Sequence, residues 1–170
     1  VFSIISELTN GPQIIVGSSF GGWLSLMAAC QKPLNIAALV LIAPAIDMTD
    51  KLMRLRFDQA MLKELDSKGV CYMPSDYDDV GYPITSDLIE DGAKYIMLEK
   101  GIEFEGPVRI LHGRLDDSVP WSLSLELAGA LESKDVEITF VEQGDHSLSE
   151  PENITLLTST LSRLCDNIQL

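Results

Sequence analysis

With 170 residues, 46% of them hydrophobic and 22% charged, the chain can bury a core, is too apolar to stay disordered, and contains no apolar run as long as a membrane-spanning helix. Its 26 acidic residues against 12 basic ones leave a net charge of −14, which repels nucleic-acid backbones and anionic lipid surfaces. A nucleic-acid partner and an integral membrane segment are therefore excluded at this level.

Phe2, Ile5 and Leu8, with Ile4 beside them, recur at helical spacing, and Asn10-Gly11-Pro12 stops that helix. Gln13 to Val16 reads as a short buried strand. It runs into Gly17-Ser18-Ser19-Phe20-Gly21, ahead of a helix predicted over Trp23 to Gln31, rich in small residues and followed by Pro33. A serine flanked by glycines between a strand and a helix is the pattern of a nucleophile elbow, whose tight turn stands the hydroxyl clear of the backbone. The pattern is loose enough to occur in other tight turns. A frame centred on Ser18 would need glycine where Val16 and Phe20 stand, so Ser19 is the candidate nucleophile. Gly17 and Gly21 are expected to remove Cβ atoms that would collide across the turn. The Phe20 N–H, at the positive end of the following helix, is the candidate oxyanion donor. Ile36 to Ala43 is a continuous apolar run, the signature of a parallel strand buried on both faces, and it stops at Pro44.

The character changes over residues 47–101, which read as an inserted lid. Leu52, Leu55, Met61, Leu62 and Leu65 predict one amphipathic helix closed by Gly69. A turn-rich aromatic stretch follows, from Cys71 through Tyr72, Tyr77 and Tyr82 to Pro83, and a second helix is predicted from Ser86 to Leu98, ending at Gly101. Five of the six methionines fall here: Met48, Met53, Met61, Met73 and Met97. A flexible lid over an acyl chain and ordinary amphipathic packing both account for them. Met48 and Met73, with Trp121 further on, are candidate substrate contacts.

After Pro107 a strand from Val108 to Leu111 leads into His112-Gly113-Arg114-Leu115-Asp116-Asp117-Ser118-Val119-Pro120. A helix over Trp121 to Leu131 follows, then a strand over Val136 to Val141, a loop over Glu142 to His146, and a last helix over Glu152 to Cys165 with Ser149 as its N-cap. Strands and helices alternate, which predicts an α/β fold with a doubly wound, mostly parallel sheet and right-handed crossovers. Residues 1–46 and 102–170 form the core on either side of the lid. Cys30, Cys71 and Cys165 lie at scattered spacings that suit a reduced compartment and make no C-x-x-C metal pair.

A serine nucleophile needs a base, and the chain offers two histidines. His146, in the loop after the last strand, is the candidate general base in the chain order Ser, Asp, His. His112 reads as a structural residue tying its loop by hydrogen bonds. For the orienting carboxylate, the D-x-x-V-P arrangement selects Asp116; Asp117 is then solvated or bonded to the turn, and Asp145 caps its loop. Asp47, after the second strand, stays open as an alternative acid. The chemistry requires neither cofactor nor metal.

The elbow Gly17 to Trp23, the loop Leu111 to Trp121 and the segment Gly69-Val70-Cys71-Tyr72-Met73-Pro74-Ser75 together resemble one branch of the α/β-hydrolase superfamily, that of the mitochondrial palmitoyl-protein thioesterase also known as an acyl-glucuronide esterase and its bacterial relatives. The resemblance runs over nearly the whole chain. It implies Ser19, Asp116 and His146 as nucleophile, acid and base, and hydrolysis of thioesters or carboxylic esters: a small-molecule ester or an acylated thiol or protein as substrate. It implies a cytoplasmic location in a bacterium or a mitochondrial one in a eukaryote. It also implies further strands before the elbow and a second oxyanion donor that this chain lacks. The chain thus resembles the C-terminal two-thirds of such an enzyme, with the Gln13 to Val16 strand left as an apolar edge. A truncated, non-catalytic remnant and a serine peptidase on the same scaffold are the alternative expectations.

Overall fold

A computed structural model describes residues 2–31, 35–74 and 81–168. In chain order the elements are α1 (Phe2–Leu8), β1 (Gln13–Ser18), α2 (Phe20–Ala29), β2 (Ile36–Ile42), α3 (Gln59–Lys68), β3 (Val70–Met73), β4 (Tyr82–Thr85), α4 (Ser86–Gly92), β5 (Val108–Gly113), α5 (Ser122–Ala130), β6 (Val136–Val141) and α6 (Pro151–Asn167). They divide into two compact units, Val1–Ile46 with Met97–Leu170, and Asp47–Ile96.

The first unit is built on a four-stranded sheet in the order β1-β2-β5-β6, with every pair parallel. The apolar run of β2 is explained by burial on both faces: Ala38 and Val40 point to one side, Leu39 and Leu41 to the other, and all are inaccessible to solvent. The units β1–α2–β2 and β5–α5–β6 step in the same direction across the sheet, for which the right-handed rule requires α2 and α5 on a common face. α6 packs Leu157, Leu161 and Leu164 onto Ala38, Val40 and Ile14. The register sets Ser18 beside Ile42, Ile42 beside Leu111 and Gly113 beside Val141, so the carboxyl ends of all four strands lie at one edge, β5 and β6 reaching past the Ser18–Ile42–Leu111 row to Gly113 and Val141. Crevices at that edge are where open α/β sheets bind ligands. Among the described residues β1 has one strand neighbour, β2, and its Val16 is 44% exposed.

The starts of α2 and α6 are built differently from expectation. α2 starts at Phe20, directly after Ser19, not at Trp23. α6 starts at Pro151 with no side-chain cap; Ser149 Oγ instead meets Ser147 Oγ at 2.9 Å. Proline at the first helical position, with φ already set and no N–H to satisfy, replaces the expected serine cap.

The second unit departs further. The single helix expected around Leu52 to Leu65 is broken: a π-helical turn over Thr49–Met53 and a 3₁₀ turn over Arg54–Arg56 end at an extended Phe57. α3 then begins afresh because the Asp58 carboxylate accepts the Met61 N–H at 2.8 Å, an N-cap that competes with continuation through that point. Gly69, with φ 72°, ends α3 as expected. The stretch from Cys71 to Pro83, read as turns, contributes two antiparallel strands, β3 and β4; with only one partner strand, Pro83 can sit opposite Tyr72. α4 stops at Gly92, well short of Leu98, in a 3₁₀ turn over Ala93–Tyr95. Gly92 is a poor helix former, and a Cβ there would collide with the Thr49 side chain. Leu65, Cys71, Ile84 and Ile89 form this unit's core, with Met53, Met61 and Met73 packed against it. Pro33, Ser75 and Tyr77 lie outside the described residues. No helix among the described residues is long and apolar enough to cross a membrane.

Candidate functional site

Ser19 occupies the turn between β1 and α2 with φ 52° and ψ −121°, a conformation that costs a side-chain-bearing residue about 1–3 kcal/mol. Its surroundings over-determine it. The Ser19 N–H donates to Ile42 O at 2.8 Å, and the Ser19 carbonyl accepts the N–H groups of Gly22 (2.9 Å) and Ala45 (3.0 Å). A Cβ on Gly17 would strike Ser25 Oγ and the Gly21 carbonyl, so glycine is required there. The expectation for Gly21 is corrected: a Cβ at that position meets nothing within 4 Å. What crowds the turn is the Gly21 carbonyl, fixed by the Ser25 hydroxyl at 2.7 Å, while the second close approach falls on Gly22, whose Cβ would lie 2.9 Å from Pro44 Cβ. Phe20 is the first residue of α2, so its N–H is among those a helix start leaves without an intrahelical partner.

The loops after β5 and β6 interlock. Arg114 N–H donates to Val141 O at 2.8 Å and Leu115 N–H to Gly144 O at 2.9 Å. Gly113 makes this crossing possible, since a Cβ there would overlap the carbonyls of Gly144 and Asp145. Asp145 ties its own turn by accepting the N–H groups of Ser147 (3.0 Å) and Leu148 (2.9 Å).

Three side chains, 127 and 30 positions apart along the chain, meet at this rim. His146 Nε2 lies 3.0 Å from Ser19 Oγ, and His146 Nδ1 lies 2.8 Å from Asp116 Oδ2. An ionised Asp116 can only accept, so Nδ1 carries hydrogen and Nε2 offers its lone pair to the serine hydroxyl. Asp116, its side chain wholly shielded, is anchored at Oδ1 by the N–H groups of Ser118 and Val119, both at 2.8 Å. Burial pushes its pKa up, but hydrogen bonds from His112, His146 and the Val119 N–H, with the charge of His146, outweigh burial and hold the carboxyl well below the usual range. His146 is shifted the other way: its bond to Asp116 raises it, burial opposes, and the charges of Asp116, Asp117 and Asp145 add to the rise.

His112 is buried and bonded to Ser124, Asp116 and Val119. Asp117 is exposed and accepts the Ser118 hydroxyl at 3.2 Å. Asp47 is buried at φ 51°; its backbone carbonyl accepts the N–H groups of Asp50 and Lys51, and Asp116 is the carboxylate on the imidazole of His146. Met48 is half-buried beside the π-helical turn, and Met73 packs on the second unit's core. Trp121 lies under the Arg114 guanidinium, 4.0 Å from the ring centroid, and edge-on to Phe140. Cys30 and Cys71 are free thiols whose pKa values burial pushes up, which makes them poor nucleophiles. Among the described residues no group of three or more His, Cys, Asp and Glu side chains is arranged to hold a metal. Sequence reasoning missed Ser124; its only trace there is that a histidine following an apolar strand is a buried polar group in need of partners.

The model of the prolyl oligopeptidase family matches residues 12–165. The chain is 40% identical over 172 residues to the mitochondrial palmitoyl-protein thioesterase ABHD10 of Bos taurus, covering 99% of this chain and 55% of that protein. It is 39% identical over 170 residues to the Homo sapiens protein of the same name, with the same coverage. Among solved structures, the mouse alpha/beta hydrolase domain-containing protein 10 superposes with a TM-score of 0.86 at 38% identity, over 97% of this chain and 66% of that one. An Agrobacterium vitis S4 protein described as a hydrolase superposes with a TM-score of 0.89 at 31% identity, over 95% and 64%. The chain spans about half the length of the curated relatives it matches. Its fold is that of the α/β-hydrolases.

Proposed function

The chain belongs to the prolyl oligopeptidase family, and from the meeting of Ser19, His146 and Asp116 together with the names of its relatives we propose that it works as a serine hydrolase on acyl substrates. In this reading Ser19 Oγ attacks the acyl carbon while its proton passes to His146 Nε2, and Asp116 holds the imidazole in the required tautomer and faces the charge that forms on it. The tetrahedral oxyanion draws on the Phe20 N–H and the start of α2. Collapse expels a thiolate or alkoxide that takes the proton from His146, leaving an acyl-enzyme. Water, deprotonated by the same imidazole, then releases the acid and returns the proton to Ser19. The observation that carries the reading is the unbroken line of hydrogen bonds from Asp116 through His146 to Ser19.

The acyl class rests on the relatives, which are named palmitoyl-protein thioesterases. We take thioesters or carboxylic esters of bulky acyl groups as substrates, with Met48, Met73 and Trp121 as candidate contacts, and a mitochondrial location if the source is eukaryotic. A peptidase is the second reading, favoured by the family's description alone. The test uses the longest natural protein containing this chain. A fluorophosphonate probe should label it, and acyl thioesters should be cleaved faster than proline-containing peptides. Ser19→Ala should abolish labelling and lower turnover by about 10⁴-fold or more. Equal labelling with and without Ser19 would remove the serine from the mechanism, and faster peptide cleavage would favour the peptidase.

A further inference from the structure

Asp116 has two anchors on Oδ1, the N–H groups of Ser118 and Val119, and these already fix its position. Its other oxygen, Oδ2, faces two imidazoles, not one. His112 follows the apolar run of β5 with its ring at 0% exposure, so both ring nitrogens must find protein partners. Nε2 lies 3.1 Å from Asp116 Oδ2 and 3.0 Å from the Val119 carbonyl oxygen. Both are acceptors, so Nε2 carries the hydrogen. Nδ1 is then the acceptor, and the Ser124 hydroxyl, 2.7 Å away and fully buried on α5, donates to it. The bonds therefore run in one direction, from Ser124 O–H into His112 Nδ1 and from His112 Nε2–H into Asp116 Oδ2, and such chains strengthen each link.

Resting on the Ser19, His146 and Asp116 assignment above, we propose that His112, held in one tautomer by Ser124, is a positioning residue that draws charge from the Asp116 oxygen facing His146 and so lowers the pH at which His146 is free to take the Ser19 proton. A pure tether would need no bond to Oδ2, because the Val119 carbonyl already receives the same N–H and Oδ1 is already held. The charges of Asp116 and Asp117 in the loop after β5 and of Asp145 beside His146 all favour its protonated form. The bond from His112 works against them through Asp116.

The test measures the rate of fluorophosphonate labelling between about pH 5 and pH 9 on the natural protein containing this chain and on His112→Leu, His112→Gln and Ser124→Ala, with the His146 ring followed by NMR in parallel. His112→Leu removes the donor and should move the midpoint of both titrations up by about half a pH unit. His112→Gln, whose amide N–H can reach the same oxygen, should restore the midpoint. Ser124→Ala should move it in the same direction as leucine but less, because the donor is weakened and not lost. A folded His112→Leu protein with an unmoved midpoint overturns the proposal, as does a glutamine variant that moves as far as leucine. Where leucine at this site prevents folding, an unmoved midpoint in Ser124→Ala overturns it equally. Labelling that survives Ser19→Ala would instead bring down the serine-hydrolase reading, and the NMR titration of His146 would still decide what His112 does.

Discussion

Asp116→Asn is the substitution whose consequence the geometry fixes most closely. The side chain is shielded from water, so no solvent molecule can stand in for a lost bond. With its carbonyl oxygen kept toward the N–H groups of Ser118 and Val119, the new amide would turn its NH₂ toward His146 Nδ1–H and His112 Nε2–H, donor against donor. The reverse placement would set the NH₂ against the two backbone donors and give up two charge-assisted bonds of about 1.5–3 kcal/mol each. The cheaper escape is for His146 to change tautomer, placing its hydrogen on Nε2, where it points at Ser19 Oγ and cannot accept a proton. A base held in the wrong tautomer costs about 10⁴-fold in turnover, or ~5 kcal/mol of barrier. Steady-state hydrolysis of an acyl thioester, with circular dichroism to confirm folding, reads this directly. The acid-side stability should also change. Because the folded pKa of Asp116 is depressed, its stabilisation is complete above the ordinary aspartate value and is lost as pH falls through the depressed one; the asparagine protein should lack that loss. A folded Asp116→Asn enzyme retaining more than about a tenth of its turnover at neutral pH would refute the assignment of this carboxylate, since that is a thousand times more than a wrong-tautomer base allows.

Two further outcomes follow from the same geometry. Gly17→Ala should lower stability by about 1–3 kcal/mol or prevent folding, because its Cβ meets backbone and a fixed hydroxyl, whereas Gly21→Ala should leave the melting temperature nearly unchanged; equal losses in thermal denaturation would contradict the packing described. Asp117→Asn removes one of the charges that raise His146, so the acid limb of the pH–rate profile should move down by about 0.3 unit at low salt and by less at high salt; an upward move would invert the sign of the interaction.

Much of the site was legible in the sequence because its requirements are local. The strand before Gly17, the helix after Ser19 and the turn at Asp116 are set by backbone sterics and by hydrogen bonds reaching only a few positions, as in the Val119 N–H to Asp116 contact. The same holds for β2, whose uninterrupted apolar run states its double-sided burial, and for Gly69, whose left-handed φ ends α3. The second unit was read less well. Asp58 broke a helix that apolar spacing would have continued, Gly92 ended another against Thr49, and the strands around Pro83 exist only through their pairing.

Residue type and short-range spacing determined which side chains could do chemistry and on which strand ends they stand. Only the tertiary structure decided that Gly17 is sterically required and Gly21 is not, that Gly113 lets the two loops cross, and that Ser124 orients a second imidazole onto the carboxylate the first one uses. The reason is one of range: a contact between residues 127 positions apart leaves no period in the chain, and it comes into being when the sheet brings its strand ends to one edge.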